Sequence, residues 1–439
     1  SVLSLAAIAV FPILGMLTVS AQTADGSPKA VLDVMERVAD WQLANPSRFK
    51  PTDWTQAAGY AGFMALAGIS PDSKYRDAMV RMGEGNSWNP GPRVYHADDH
   101  CVSQTYAELY FQLREPKMTA ASKARFDDIL TNPREGTLDF KTKGNQDRWS
   151  WCDALFMAPP AWLRMYVATG EKRYLDLSVN HWWRTSDFLY DKQEHLYYRD
   201  STYFDKKEAN GKKVFWGRGN GWVVGGLVRM LEFLPSNHPE RKKFEKQFIE
   251  MCTKLLSCQQ DDGLWRASLL DPASYPLKET SGSAFYTYGF AWGVNQGILD
   301  RKRFEPAARK AWAALTSCVA EDGKLTHVQP VGADPKAFDE NSTEIYGVGA
   351  FLLVGSEIYR MEVTKGAKPF VVSVKNPASF PRTCETVEIN APAEDLVVMD
   401  ALTSRIIDSQ LIGRKLLFQV DLASGESRNY LLLSAKRFA

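Results

Sequence analysis

Gly219-Asn-Gly-Trp-Val-Val-Gly-Gly-Leu-Val-Arg-Met-Leu-Glu-Phe-Leu-Pro235 is followed almost at once by His238-Pro-Glu-Arg-Lys-Lys-Phe-Glu-Lys-Gln247. The first stretch is nearly uncharged and apolar around its whole circumference, as a helix enclosed by other helices must be. The second has a charged face and an apolar one, as a helix at the surface must. This alternation extends from about residue 27 to 362. Apolar positions at three- and four-residue spacing predict twelve helices, at about 27–44, 53–69, 72–84, 98–115, 119–132, 153–170, 171–190, 219–235, 238–260, 281–299, 303–320 and 342–361. Segments 119–132 and 238–260 read as outer helices; 153–170, 219–235 and 281–299 read as inner ones. Six such hairpins close into an (α/α)6 barrel. The turn signals Asp261-Asp-Gly and Glu321-Asp-Gly follow outer helices, and Lys192-Gln-Glu-His occupies the same phase. No strict sequence period accompanies the alternation, so fixed-period helical repeats fit poorly.

Beyond about residue 365 the periodicity becomes that of strands. Pro369–Val374, Glu385–Ile389, Asp395–Met399, Lys415–Val420 and Ser427–Leu433 are short β-type runs punctuated by Pro, Asn, Gly and Ser. They predict a small β-sandwich accessory domain over 365–439, following a barrel over 22–364. Residues 2–19 are uncharged and mostly apolar, and Val19-Ser20-Ala21 offers a small-x-small cleavage site. Residues 1–21 are therefore expected to be a secretory signal rather than a membrane anchor, and the protein periplasmic or secreted, without stable membrane insertion once the signal is removed.

The 439 residues can bury a large core. With 53 basic and 52 acidic residues, the chain has no electrostatic basis for binding nucleic acid or an anionic membrane. The six cysteines show no metal-type spacing, and Cys101 and Cys152 read as small buried apolar residues. The histidines include no HExxH or similar pattern, so no metal or other cofactor is expected. Most of the thirteen tryptophans are core material, and one becomes a sugar platform only where it starts a helix beside polar groups.

Inner helices of such a barrel run in one direction, so their N-terminal ends gather at one mouth. The residues falling there are Asp53 and Trp54; His96, Asp98, Asp99 and His100; Trp151 and Asp153; Trp216, Arg218 and Trp222; Glu279, Thr280 and Ser281; Glu340 and Asn341. Helix capping accounts for Asp53, Asn341 and Asp98. It does not account for Trp151-Cys-Asp153, or for Trp216-Gly-Arg-Gly-Asn-Gly-Trp222. Glycines 217, 219 and 221 read as points where backbone approaches a ligand closely. They lack the strand-turn-helix setting of a phosphate loop.

Three motifs carry a resemblance to a known family: Trp151-Cys-Asp-Ala-Leu-Phe-Met157 followed by Pro160, Trp216-Gly-Arg-Gly-Asn-Gly-Trp222, and Glu279-Thr-Ser-Gly-Ser-Ala284. Over about residues 30–360 the chain resembles glycoside hydrolase family 105, the unsaturated rhamnogalacturonyl hydrolases, and the related unsaturated glucuronyl hydrolases. That resemblance implies an oligosaccharide substrate ending in a 4,5-unsaturated uronic acid, galacturonyl or glucuronyl, and hydration of its enol ether. It places the general acid/base on Asp153 and the second aspartate on Asp99, with Asp98 as the fallback. Arg218, Trp222 and Trp151 fall on the sugar-acid pocket, joined by Trp54, His100, Met157, Trp216, Glu279, Thr280 and Ser281 as substrate-binding positions. Many members have His after a Leu-Tyr-Tyr run where this chain has Arg199. That arginine either serves the substrate carboxylate or pairs with Asp200. The rivals are an ordinary glycosidase with a carboxylate pair, a polysaccharide lyase using Tyr286 or Tyr288 as base, and a non-catalytic sugar-binding protein.

Overall fold

The computed structural model describes residues 26–438. The expected signal over 1–21 lies outside them. No helix among the described residues is long and apolar enough to cross a membrane. Outer and inner helices alternate as α1 (Pro28–Ala44), α2 (Trp54–Ala67), α3 (Lys74–Gly85), α4 (Ala97–His100) with α5 (Val102–Leu113), α6 (Lys117–Thr131), α7 (Ala154–Met157) with α8 (Pro159–Thr169), α9 (Lys172–Leu189), α10 (Gly217–Leu231), α11 (Arg241–Cys258), α12 (Thr280–Asn295), α13 (Arg301–Thr316) and α14 (Ile345–Thr364). The inner ring closes: α2 packs on α5, α5 on α8, α7 and α8 on α10, α10 on α12, α12 on α14, and α14 on α2. The fold is an (α/α)6 barrel. Its closure relies on absent side chains: a Cβ on Gly62 would run into the Gly349 carbonyl oxygen, so α2 and α14 touch backbone to backbone.

Two inner helices predicted as continuous are broken at the mouth. At 158–159 the cause is Pro159, which has no N–H to continue the ladder and whose ring opposes the carbonyl of Leu155. At 100–101 the cause is a loop. The Asp99 carbonyl accepts from the Gly91 N–H at 2.9 Å and not from the next helical turn. Each break leaves a short first turn, α4 or α7, free to tilt its carboxylates into the mouth.

Between α9 and α10 lie β1 (Tyr190–Asp191) and β2 (Leu196–Tyr197). After α14 two antiparallel sheets face each other, one ordered β3-β9-β5-β6 and the other β4-β8-β7. Their strands are β3 (Phe370–Lys375), β4 (Arg382–Asn390), β5 (Leu396–Asp400), β6 (Ile406–Ile407), β7 (Ser409–Ile412), β8 (Lys415–Leu422) and β9 (Ser427–Ser434). The short β6 and β7 escape the sequence pattern. Val398, Tyr430 and Leu432 of one sheet meet Leu416, Phe418, Val420 and Leu422 of the other. The alternate residues Met399, Leu431 and Leu433 point the other way and join the barrel core, so this sandwich is fused to the barrel's far end.

Candidate active site

Asp153 stands at the N-terminal end of α7, 8% exposed. The Cys152 thiol lies 3.4 Å from its Oδ1, and Arg199 Nε lies 3.8 Å from the same atom. Burial pushes its pKa up, while Arg199 first, then the thiol and Arg218, pull it back. The position of Arg199 is fixed by its neighbours. Its Nη1 donates to Asp200 Oδ2 at 2.7 Å, its carbonyl accepts from the Cys152 N–H at 2.8 Å, and its guanidinium lies over Phe140. Its buried Nε has no hydrogen-bond partner among the described residues. Arg199 thus pairs with Asp200, one of the two sequence alternatives, and also faces Asp153.

The adjacent carboxylates of α4 divide sharply. Asp99 accepts from the Arg93 N–H at 2.6 Å, from its Nε at 3.1 Å and from its Nη2 at 2.8 Å. A carboxylate forked this way anchors the 89–95 loop, with both its oxygens engaged by Arg93. No hydrogen bond reaches the Asp98 carboxyl among the described residues. It lies 3.8 Å from Arg93 Nη2 and 3.6 Å from His96 Nδ1. Burial, opposed by Arg93 and reinforced by the charges of Asp153, Asp99 and Asp53, pushes Asp98 up to about 8. His96 is held neutral by burial, its pKa lowered to about 4, and its ring packs 4.9 Å from Trp151. Of the two α4 carboxyls, Asp98 is the one left without a hydrogen bond among the described residues, while Asp99, which the sequence favoured, is held by Arg93.

Aromatic rings form the floor. Trp54 stacks on Tyr346 at 5.4 Å and meets Trp222 edge-on at 5.8 Å. Trp222 packs against Phe156 and Phe285, and its buried Nε1 has no hydrogen-bond partner among the described residues. Arg218 lies between the rings of Trp216 and Tyr346, and its charge is felt at Asp153. Its guanidinium is not free to fork a carboxylate, however. Nη1 donates to the Gln329 carbonyl at 2.6 Å and Nη2 to the Pro330 carbonyl at 2.8 Å, leaving only Nε unpartnered among the described residues. Gln329 also accepts from Trp216 Nε1 at 2.8 Å, and its carbonyl accepts from the Tyr346 hydroxyl at 2.6 Å. Arg218 thus clamps the 326–342 segment to the barrel.

Five other expected contacts, Glu279, Thr280, Ser281, His100 and Met157, are engaged within the protein. Glu279 caps α12, accepting from the Ser281 and Gly282 N–H groups and the Ser281 hydroxyl, and Thr280 donates to the Thr326 carbonyl. His100 is fully buried between the Val94 carbonyl and Trp162 Nε1. Met157 is core. Glycines 217, 219 and 221 admit neighbouring protein atoms, since a Cβ on them would meet the Arg266 carbonyl, the Trp216 ring and Gly282 Cα. Arg93, Asp200, Gln329 and Tyr346 help to build the site, yet the sequence motifs nominate none of them for it. They lie in loops or at a helix start, and no motif spacing ties them to Asp153.

The profile of Glycosyl Hydrolase Family 88 matches residues 21–362, ending before the sandwich begins. An unsaturated 3S-rhamnoglycuronyl hydrolase of Formosa agariphila is 40% identical over 341 residues, covering 75% of this chain and 90% of that protein. A solved family 88 structure from Bacteroides vulgatus is similar with TM-score 0.70 and 31% identity, over 76% of this chain and 99% of that one. A structure described as a polysaccharide lyase is similar with TM-score 0.69 and 32% identity, over 76% of this chain and 97% of that one. The motifs resembled family 105 and the glucuronyl hydrolases, and the matching profile is that of family 88: the chain belongs to Glycosyl Hydrolase Family 88.

Proposed function

We propose that this protein removes a 4,5-unsaturated uronic acid from the non-reducing end of oligosaccharides left by lyases, by hydrating the enol ether. The observation that carries this reading is the pair Asp153 and Asp98, two carboxyls of raised pKa at one aromatic-walled mouth beside the unpartnered Nε of Arg199. The pair retains a proton near neutral pH. A carboxylic acid must be protonated there to donate to carbon 4 of the double bond. Protonation leaves oxocarbenium character at carbon 5, stabilised by the ring oxygen. Water adds at carbon 5 and returns its proton to the Asp153 carboxylate. The hemiketal so formed opens and expels the next sugar. Similarity to the Formosa protein supports a rhamnoglycuronyl substrate. The apolar run before Gln22 supports export and a periplasmic or secreted setting.

The solved relative described as a lyase favours one alternative. That chemistry needs a free base, and the tyrosines nominated for it are occupied. The Tyr286 hydroxyl donates to the Gly217 carbonyl, and that of Tyr288 to Glu232 Oε1 at 2.9 Å. A cheap test separates the readings, because unsaturated uronides absorb near the ultraviolet edge. Incubation with an unsaturated rhamnoglycuronyl disaccharide should abolish that absorbance. A rise on intact polysaccharide would indicate a lyase, and no change on either would leave a binding protein.

Arg199 supplies a second expected result. Its cation lowers the pKa of Asp153, so Arg199→Gln should raise that pKa and move the alkaline limb of the kcat/KM profile to higher pH. A charge-assisted hydrogen bond to the substrate carboxylate is lost as well, raising KM about tenfold or more. A shifted limb with unchanged KM would show that Arg199 tunes Asp153 without touching substrate.

A further inference from the structure

A cavity of about 670 Å³ lies at the opposite end of the barrel from the mouth, between the C-terminal ends of the inner helices and the sandwich. That volume is within the range of sites that enclose small ligands. Five arginines and six carboxylates line it. Four of the arginines have a carboxylate partner: Arg76 at Asp77, Arg114 at Asp421, Arg229 at Glu108, and Arg428 at Asp400. Arg405 has none, and its guanidinium makes no hydrogen bond or ion pair among the described residues. Its Nε is sealed from solvent, and the charge is desolvated enough to lower its pKa. The stem is held in place, because a Cβ on Gly68 would fall 2.8 Å from Arg405 Cγ, and the Ile406 N–H donates to the Gly68 carbonyl at 2.9 Å. Arg405 is thus a preorganised donor, laid along the end of α2 and aimed into a chamber.

The unpartnered Nε–H of Arg405 marks where an anion would sit. Burial drives Glu232 up to about 7 and raises Glu357, so two of the six carboxylates are pushed toward the neutral form. Arg405 alone of the five arginines forms no ion pair among the described residues, although the charges of Glu108, Asp400, Asp421 and Asp408 act on it at longer range. An Nε–H sealed from water and left without an acceptor is costly, and an incoming carboxylate would remove that cost. The walls add amides and hydroxyls, Gln112, Gln419 and Ser356 among them, which suit a polyol. We propose that this chamber is a second binding site, separate from the mouth, for a carboxylate-bearing sugar held by Arg405. Much of its wall comes from the sandwich, which lies beyond the part matched by the family profile.

Calorimetric titration of the full chain with D-glucuronate tests this, with glucose and acetate as controls. Two classes of site are expected for glucuronate. Arg405→Ala should weaken one class about tenfold or more and leave turnover at the mouth unchanged. Asp153→Asn should abolish turnover and leave that class intact. Gln419→Trp, at an exposed strand position, should fill the chamber and remove the same class without touching the arginine. A disaccharide ending in glucuronate, run beside the free acid, separates a chain end from a free sugar acid as the ligand; binding of either supports the site. A single class of site in the wild type, two classes that survive both Arg405→Ala and Gln419→Trp, or equal binding of glucose or acetate would overturn the proposal.

Discussion

Asp153→Asn should lower kcat on an unsaturated disaccharide by a factor of about 10³ to 10⁴, at the upper end of what one general acid contributes. Asparagine keeps the shape and can still take the position facing Arg199, so substrate should bind with little change in KM. What it cannot do is release a proton to carbon 4 or accept one from water. The same residue would perform both transfers, so no partial step survives its loss. The expected result is therefore a fall in kcat with KM nearly constant, read as persistence of the ultraviolet absorbance. Wild-type turnover in this variant would remove Asp153 from the chemistry.

Stability should move the other way. Asp153 has a folded pKa raised above its unfolded value by burial. The folded state therefore holds the proton more tightly, and the contribution is favourable below the unfolded value. It is lost as pH rises from about 4 through the folded pKa. Near neutral pH this carboxyl opposes folding, and the amide that replaces it does not titrate. The variant should melt no lower than the wild type, because Arg199 keeps its bond to Asp200 at 2.7 Å. Loss of activity with retained or raised Tm is what a strained functional group leaves behind when removed.

How far these features were legible in the sequence depended on whether the cause was local. The barrel was readable because enclosure leaves its mark on every residue of a helix, as the uncharged 219–235 against the charged 238–260 shows. The break before Pro159 was available in principle, since the proline removes a donor wherever it stands in a helix. The break after His100 was not, because it depends on the Gly91 N–H reaching the Asp99 carbonyl from a separate loop. Glu279-Thr-Ser drew attention as a polar cluster and turned out to be a cap. Spacing alone does not separate a carboxylate that binds its own helix from one that binds a ligand. Arg218 has the residue type for a sugar acid, yet two carbonyls far along the chain engage both its Nη atoms.

The sharpest case is the choice between Asp98 and Asp99, since neighbours on a helix point about 100° apart. Which one faces the mouth is decided by Arg93, which forks Asp99 and leaves Asp98 without a hydrogen bond among the described residues. The two should therefore fail differently. Asp98→Asn should cut kcat about 10²-fold or more with little change in Tm. It should also shift the alkaline limb, expected near pH 8 from the raised Asp98, to lower pH, because an amide at that position can no longer share a proton with Asp153. Asp99→Asn should break the fork on Arg93 and destabilise the fold by about 1–3 kcal/mol, seen as a lower Tm. Its kcat should stay within about tenfold of wild type at temperatures where the variant is folded, since the Asp99 carboxylate is engaged by Arg93. The reverse pattern, turnover lost at unchanged Tm in Asp99→Asn and kept in Asp98→Asn, would return the second carboxylate to Asp99. Arg93 would then have to release it on substrate binding.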